Sequence, residues 1–183
     1  LLAKVARALE SAHLQNIIHR DVKPANILIS NDREPLLSDF GIAKIIASDE
    51  ETLDLTGSGV GIGTPQYMAP EQGFGRSDER SDVYSLGVIF YEMVTGHKPF
   101  EADTPMAIML KKSTEPLPHP RQYNKNLPEN VENVLIKSLA RDPNHRYANM
   151  GDFANALENL KGQNSTSFNN KEAEPIEVIK PEG

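Results

Sequence analysis

The spacing of apolar residues predicts a chain built mostly of helices. Over residues 1–14 apolar side chains recur at helical intervals, with charged side chains on the opposite side, which is typical of an amphipathic helix. The same spacing returns over residues 131–139 and 153–160. From Asp82 to Val94 almost every side chain is apolar, so this segment predicts a helix that is buried on all sides.

Two short β-type runs interrupt this helical pattern. Residues 27–29 and 36–37 are apolar and are separated by the polar turn 30–34, which predicts a small hairpin-like pair. Such a pair would bring Asn26, just before the first run, close to Asp39, just after the second. The sequence therefore predicts that these two oxygen-bearing side chains share one site.

Further along, local signals predict one more helix and two loops. Thr104 followed by Pro105 is typical of the cap and first residue of a helix, which we expect to run to about Lys112. The proline-rich stretch 116–128 predicts a loop. Residues 42–63 turn acidic and then glycine-rich, which predicts a mobile surface loop.

One domain and a tail account for the whole length. The 183 residues are enough for a single core. After Lys161 the chain has too few apolar residues to offset the entropy of ordering, so we expect a domain over 1–161 and a disordered tail or linker over 162–183. Leu1 already lies inside an amphipathic pattern, and we therefore expect the chain to be a fragment of a longer protein.

Composition excludes several classes of function. The net charge of -7, the pI near 5.3 and the lack of a basic stripe argue against a nucleic-acid partner. The chain contains no cysteine, which excludes disulfides and thiolate metal sites. No apolar run approaches the roughly 20 residues that a membrane-spanning helix needs. We therefore expect a soluble chain whose fold depends on its apolar core.

The most informative motif is the decapeptide HRDVKPANIL, which begins at His19 and ends at Leu28. It places an acid, a cation and a carboxamide close together at Asp21, Lys23 and Asn26. Phosphoryl transfer requires groups of this kind, because catalysis there consists mainly of positioning and of neutralising charge. Asp21 alone is better explained as part of a solvated turn, and only the surrounding decapeptide favours catalysis.

Two further motifs follow in the order expected of an activation segment. SDFG at residues 38–41 supplies the carboxylate of Asp39 on a tight turn, where Gly41 permits an unusual backbone angle. APE occupies residues 69–71. Short motifs arise by chance, but three of them in this order support one another.

Together these motifs resemble the C-terminal lobe of a serine/threonine protein kinase, and IGTPQYMAPEQ at 62–72 is similar to the eukaryotic-like kinases of bacteria. The resemblance implies a mainly α lobe with small β-hairpins at the catalytic cleft, within a kinase domain that is α+β as a whole. It also implies ATP and Mg²⁺ (or Mn²⁺) as cofactors and proteins with Ser or Thr hydroxyls as substrates. The kinase domain would be cytoplasmic, and any membrane attachment would come from a segment beyond this chain.

The resemblance assigns roles at the reacting centre. Asp21 would be the base that orients the substrate hydroxyl, and Lys23 would contact the transferred phosphate. Asn26 and Asp39 would hold the metal ions and, with Lys23, the nucleotide phosphates. Leu28 would lie under the adenine ring, although a leucine between two isoleucines can also be explained by packing alone.

Regulation and specificity are implied at other positions. Arg20 resembles the arginine that pairs with a phosphorylated activation loop, and the alternative is a plain surface arginine. Thr56 and Ser58 are candidate phosphosites, while Thr64 matches the threonine that favours Ser/Thr acceptors. The glycines at 57–63 lack the spacing of a nucleotide-binding loop.

The remaining implied roles are structural. His19 would pack with Phe40 in an internal stack. Glu71 and Arg146 would form a buried ion pair that ties the activation segment to the lobe. Asp82 would either cap the apolar helix or hold the backbone of the catalytic loop, which is the decapeptide at residues 19–28.

Some parts of a kinase do not occur in this sequence. The glycine-rich ATP loop, the lysine of a V-A-I-K-like strand and its glutamate partner are missing, so we expect an N-lobe to precede Leu1 and the chain alone to be inactive. A non-catalytic scaffold lobe is the alternative, but it would not need the intact catalytic residues. A small-molecule phosphotransferase would not explain APE, Thr64 or Arg146.

Overall fold

The computed structural model describes residues 1–40 and 65–163, with side chains as far as residue 160. The described part is mainly helical, and the predicted fold class is confirmed. Its α-helices and β-strands are α1 (Leu2–His13), β1 (Ile27–Ile29), β2 (Pro35–Leu37), α2 (Glu79–Thr95), α3 (Pro105–Thr114), α4 (Glu129–Ser138) and α5 (Met150–Gln163). Short 3₁₀ turns lie at Pro24–Asn26, Pro70–Phe74, Pro120–Gln122 and Pro143–His145.

Helix α2 forms the centre of the core. Every residue from Ser81 to Tyr91 is buried, as the apolar run in the sequence predicts. The amphipathic helices α1, α4 and α5 pack around it, and α1 also packs along α5. A helix buried on every side holds its side chains rigidly, so α2 is a firm base for groups attached to its first turn.

The caps of two helices set where they begin. The Asp78 carboxylate accepts a hydrogen bond of 2.8 Å from the backbone N–H of Arg80, so α2 begins at Glu79, three residues before the predicted start. Asp82 therefore lies inside the first turn and does not cap the helix. Thr104 caps α3 as predicted, and that helix continues two residues beyond Lys112.

The hairpin is antiparallel and lies against α1. Leu28 stands opposite Leu36, and Ile27 opposite Leu37. Its turn closes through a backbone hydrogen bond of 2.9 Å from the Ser30 N–H to the Glu34 carbonyl. The pairing brings the two ends of the hairpin together, as the sequence predicts.

Two predicted segments fall outside the described residues. They are the loop at 42–63 and most of the tail, whose described part continues helix α5 as far as Gln163. Among the helices that the structure does describe, none combines the length and the apolar character needed to cross a membrane.

Candidate active site

The Asp82 carboxylate anchors the catalytic loop to helix α2. Its Oδ1 accepts a hydrogen bond of 2.9 Å from the Arg20 backbone N–H. Its Oδ2 accepts two bonds of 2.8 Å, from the His19 backbone N–H and from Nε2 of His13. A fully buried carboxylate is tolerated only when donors surround it in this way. Asp82 is therefore a scaffold residue that fixes the loop backbone.

The His19 side chain links the two halves of the site. Its Nδ1 accepts a hydrogen bond of 3.3 Å from the Asp21 backbone N–H, and its Nε2 lies 3.1 Å from the Ser38 carbonyl oxygen. These partners assign a neutral imidazole that carries its proton on Nε2. The buried ring also contacts that of Phe40, with 4.6 Å between centroids. His19 thus holds the SDF residues against the catalytic loop.

The charged and amide groups of the decapeptide converge on Asp21. The Lys23 ammonium lies 2.8 Å from Oδ2 of Asp21, and each side chain is about one-fifth exposed, at 22% and 21%. The Asn26 amide group donates to the Asp21 carbonyl at 2.9 Å and to its Oδ2 at 3.3 Å. The 3₁₀ turn Pro24–Asn26 creates this arrangement by folding the chain back on itself. The structure therefore brings the three predicted groups together.

Two residues of the site adopt the left-handed backbone region that non-glycine residues seldom occupy. They are Arg20, with φ of 65°, and Asp39, with φ of 55°. Such conformations persist only where the surrounding contacts enforce them, and they concentrate at functional sites. The Asp82 anchor enforces the first, because it binds the Arg20 N–H directly.

The donor set beside Asp21 fits a hard divalent cation. Both hydrogen bonds of the Asn26 amide group use its nitrogen, which leaves Oδ1 on the opposite side of the amide. The Ser38 N–H donates to the Asn26 carbonyl at 3.0 Å, so Asp39 follows directly beside Asn26. Amide and carboxylate oxygens are ligands that Mg²⁺ and Mn²⁺ prefer. The part of the chain that the structure describes contains no group of three or more acidic or histidine residues that could hold a metal ion. A cation beside Asn26 would therefore need further ligands.

The hairpin presents an exposed apolar surface next to this donor set. Leu28 is 52% exposed, and its cross-strand neighbour Leu36 is 54% exposed. Leucines on an open surface lose the stabilisation that burial would provide. The position predicted for the adenine ring is thus an uncovered apolar face.

A buried ion pair ties the APE segment to the lobe. The Arg146 guanidinium binds Glu71 through two hydrogen bonds, of 2.7 Å to Oε1 and 2.8 Å to Oε2. The Arg146 side chain is 0% exposed and that of Glu71 is 15% exposed. Arg146 also donates to three backbone carbonyls, those of Arg80, Ala140 and Arg141. The parallel two-bond geometry is the strongest form of such a pair.

Comparison with known proteins agrees with this geometry. The family model of the protein kinase domain matches residues 1–159. The chain belongs to the protein kinase family. A probable serine/threonine-protein kinase of Clostridium perfringens is 40% identical over 172 residues, which are 93% of this chain and 24% of that protein. The match to serine/threonine-protein kinase PknB of Mycolicibacterium smegmatis is 43% over 149 residues, 80% of this chain and 23% of the relative.

A third relative is serine/threonine-protein kinase PknA of Mycobacterium tuberculosis, which is 40% identical over 158 residues, 86% of this chain and 35% of that protein. The resemblance to bacterial serine/threonine kinases is confirmed by these relatives. The chain spans about a quarter to a third of the length of the curated proteins it matches.

Several predicted positions of the kinase lobe lie outside the described residues. They are Gly41, Thr56, Ser58 and Thr64. Arg20, which the resemblance pairs with a phosphorylated loop, is described. Its Nε is buried and has no hydrogen-bond partner among the described residues. A buried N–H without an acceptor costs free energy, so this position suits an added acceptor.

The sequence reasoning missed two residues that hold the kinase lobe's site together. Gln72 accepts a bond of 2.8 Å from the Ala69 N–H and donates one of 3.0 Å to the Arg20 carbonyl, so it joins the APE segment to the catalytic loop. His13 binds Asp82 from helix α1. For Gln72 the sequence offers only its position directly after the APE motif, and nothing distinguishes His13 from any other polar residue at the end of a helix.

Proposed function

We propose that this chain is the catalytic lobe of an ATP-dependent protein kinase that phosphorylates Ser or Thr hydroxyls of proteins. The observation that carries the proposal is the Asp21 carboxylate, which is held by the Lys23 ammonium and the Asn26 amide, while Asn26 is tied through its carbonyl to Ser38, the residue before Asp39. The choice of Ser or Thr as acceptor is supported by the relatives, which are serine/threonine-protein kinases, and by Lys23 and Pro24, which follow Asp21.

The residues around Asp21 divide the work of phosphoryl transfer. Asp21 orients the substrate hydroxyl and receives its proton, while the hydroxyl oxygen forms a bond to the γ-phosphorus and the bond to the β–γ bridging oxygen breaks. Lys23, 2.8 Å from that carboxylate, contributes a positive charge next to the transferred group. ADP and the phosphorylated protein are the products.

Asn26 and Asp39 would bind Mg²⁺ or Mn²⁺ together with the nucleotide phosphates. A bound divalent cation would neutralise the charge of the phosphates. The amide of Asn26 is held in place by its bonds to Asp21, so its oxygen is oriented before any ligand arrives. The exposed face of Leu28 and Leu36 would pack against the adenine ring.

A complete ATP site requires a second lobe. The glycine-rich loop and the lysine–glutamate pair of the family do not occur in this sequence, so a separate N-lobe would supply them and cover Leu28. We therefore expect residues 1–183 alone to lack kinase activity. The kinase would act in the cytoplasm, where ATP is available, and any membrane attachment would lie in another segment. A non-catalytic scaffold lobe is not favoured, because it has no use for the Asp21 arrangement.

Activity would be regulated through Arg20. Its buried Nε–H would donate a hydrogen bond to a phosphate placed on the activation segment, for which Thr56 and Ser58 are the candidate positions. Such a contact would order the segment through charge-assisted hydrogen bonds.

Mutation of Asp21 tests the proposal. The full-length protein is incubated with radiolabelled ATP, Mg²⁺ and a Ser/Thr-containing protein, and Asp21→Asn is compared with Asp32→Asn as a matched control in the exposed hairpin turn. We expect Asp21→Asn to lower kcat by roughly 10²–10⁴-fold, the usual contribution of a positioned acid–base group, and Asp32→Asn to have no effect. Equal activity of the two variants would refute the proposal.

A further inference from the structure

Helix α3 carries a lysine whose charge is completely enclosed. Lys112 is 2% exposed, and its ammonium donates to the carbonyl oxygens of Pro65, Gln66 and Met68 at 2.9, 2.7 and 2.5 Å. An ammonium group has three N–H donors, and all three are used here. The buried charge is therefore compensated by the backbone of a single four-residue stretch.

This stretch, Pro65–Met68, belongs to no helix or strand, and besides its bonds to Lys112 it is tied to α2 by the Tyr67 hydroxyl, which donates to the Glu92 carboxylate at 2.6 Å. It forms turns between the part of the activation segment outside the described residues and the APE motif. Three carbonyls that point at one cation restrict the backbone angles of the residues between them. Lys112 therefore replaces the regular backbone pairing that buried carbonyls otherwise need.

The stretch is coupled to the catalytic loop at its other end. Ala69 follows Met68 and donates its N–H to Gln72, which in turn donates to the carbonyl of Arg20. Arg20 directly precedes Asp21. A displacement of Pro65–Met68 would thus reach the residue that we propose to orient the substrate hydroxyl.

We propose that Lys112 is a positioning residue that fixes Pro65–Met68 and, through Gln72 and the Arg20 carbonyl, the position of Asp21. This inference rests on the proposed kinase function. The three hydrogen bonds that Lys112 makes among the described residues all end on this stretch, so the lysine acts on the catalytic loop through it. Its loss should lower kcat and leave the binding of ATP nearly unchanged.

The protonation of Lys112 supports this role. Burial lowers the pKa of Lys112 to about 7, and the negative charge of Glu71 opposes that shift. A neutral amine keeps only two N–H donors, so one of the three carbonyls loses its partner when the proton leaves. The charged and titratable groups around Lys112 on the neighbouring elements are Glu71, Tyr84, Arg146, Glu115 and Arg141.

Hydrogen exchange of residues 1–183 tests the positioning directly. Lys112→Met and Lys112→Gln are compared with wild type in a peptide covering residues 65–72, with Ser81–Tyr91 of α2 as the measure of the overall fold. We expect exchange in the 65–72 peptide to rise about tenfold or more in Lys112→Met, because each bond from a charged donor is worth at least a factor of ten. Lys112→Gln, which keeps two donors, should be intermediate.

Each outcome of the exchange experiment either supports or overturns the proposed role of Lys112. Unchanged exchange in residues 65–72 with α2 intact would overturn the proposal. If Lys112→Met also exposes α2, the glutamine variant decides: faster exchange confined to 65–72 supports the proposal, whereas wild-type exchange or loss of α2 protection contradicts it. The Lys111→Met variant, which removes a single surface bond to the Glu101 carbonyl, should match wild type.

Kinetics of the full-length protein separate positioning from a purely structural role. We expect Lys112→Gln to lower kcat for the protein substrate about tenfold, with KM for ATP within twofold of wild type. The ratio of the wild-type kcat to the kcat of Lys112→Gln should fall toward one between pH 6.5 and 9, as Lys112 of the wild type loses its proton. An unchanged kcat, or a ratio that does not change with pH, would contradict the proposal. If wild type shows no phosphotransfer, the proposed function fails and the exchange result stands by itself.

Discussion

Replacing Arg146 by methionine should destabilise the lobe by about 4 kcal/mol. The Arg146 side chain is 0% exposed and that of its partner Glu71 is 15% exposed, so little water can replace the guanidinium. Removing one partner of a buried ion pair typically costs roughly 3–5 kcal/mol, because the other charge is left uncompensated. The carbonyls of Arg80, Ala140 and Arg141 lose a donor as well. Since domains are stable by only about 5–15 kcal/mol, this loss is large.

A double-mutant cycle separates the ion pair from the other contacts. Glu71→Leu combined with Arg146→Met removes both charges, and we expect the double variant to be about 1–2 kcal/mol more stable than the sum of the single changes. Arg141→Met is the matched control. It removes a surface bond to the Glu115 carbonyl and should change stability by no more than about 0.5 kcal/mol.

Urea unfolding followed by circular dichroism measures these differences. The chain contains no tryptophan, and its helices provide a strong far-ultraviolet signal instead. A cost below about 1 kcal/mol for Arg146→Met would refute the reasoning, because an enclosed carboxylate cannot lose its partner so cheaply. Strict additivity in the double variant would show that the two side chains do not depend on each other.

Two further predictions concern stability. Asp78→Ala should lower the free energy of unfolding in urea by about 1 kcal/mol, because helix α2 loses its N-cap. Asp78→Asn should lower it by less, because asparagine can still cap the helix. Equal effects of the two variants would contradict the assignment of Asp78 as the cap. The pKa of Lys112 in the folded chain, about 7, lies below its ordinary value of 10.5. Between these two pH values the unfolded chain therefore binds more protons than the folded chain. The free energy of unfolding should thus rise from pH 7 to 9, by at most about 1.4 kcal/mol per pH unit. Urea titrations at several pH values check this, and Lys112→Met should remove the rise.

The helices could be predicted from the sequence because their signals are local. The amphipathic spacing of α1 and the continuous apolar run of α2 depend only on which residues must avoid water. Helix ends were less well predicted. The start of α2 depends on Asp78, a cap that lies outside the apolar run used to define the helix.

The groups that we propose to take part in the reaction could also be identified from the sequence, because they occupy one short loop. Asp21, Lys23 and Asn26 are so close in the chain that a single turn brings them together. Their exact arrangement was not available. The orientation of the Asn26 amide depends on its bond to the Asp21 carbonyl, and the tautomer of His19 depends on its contact with the Ser38 carbonyl, which forms only when the hairpin closes.

The sequence by itself determined the helical character of this lobe, the kinase family and the residues of the proposed reacting centre, since each is encoded within a few neighbouring positions. Only the tertiary structure decided what holds that centre in place. Asp82 meets its backbone donors 62 and 63 residues away, and Lys112 meets its carbonyl acceptors 44 to 47 residues away. In the sequence, Lys112 indicates only where a helix is expected to end. Packing of α3 against the Pro65–Met68 stretch buries Lys112. Because a buried charge must be compensated, the lysine binds the carbonyls of that stretch.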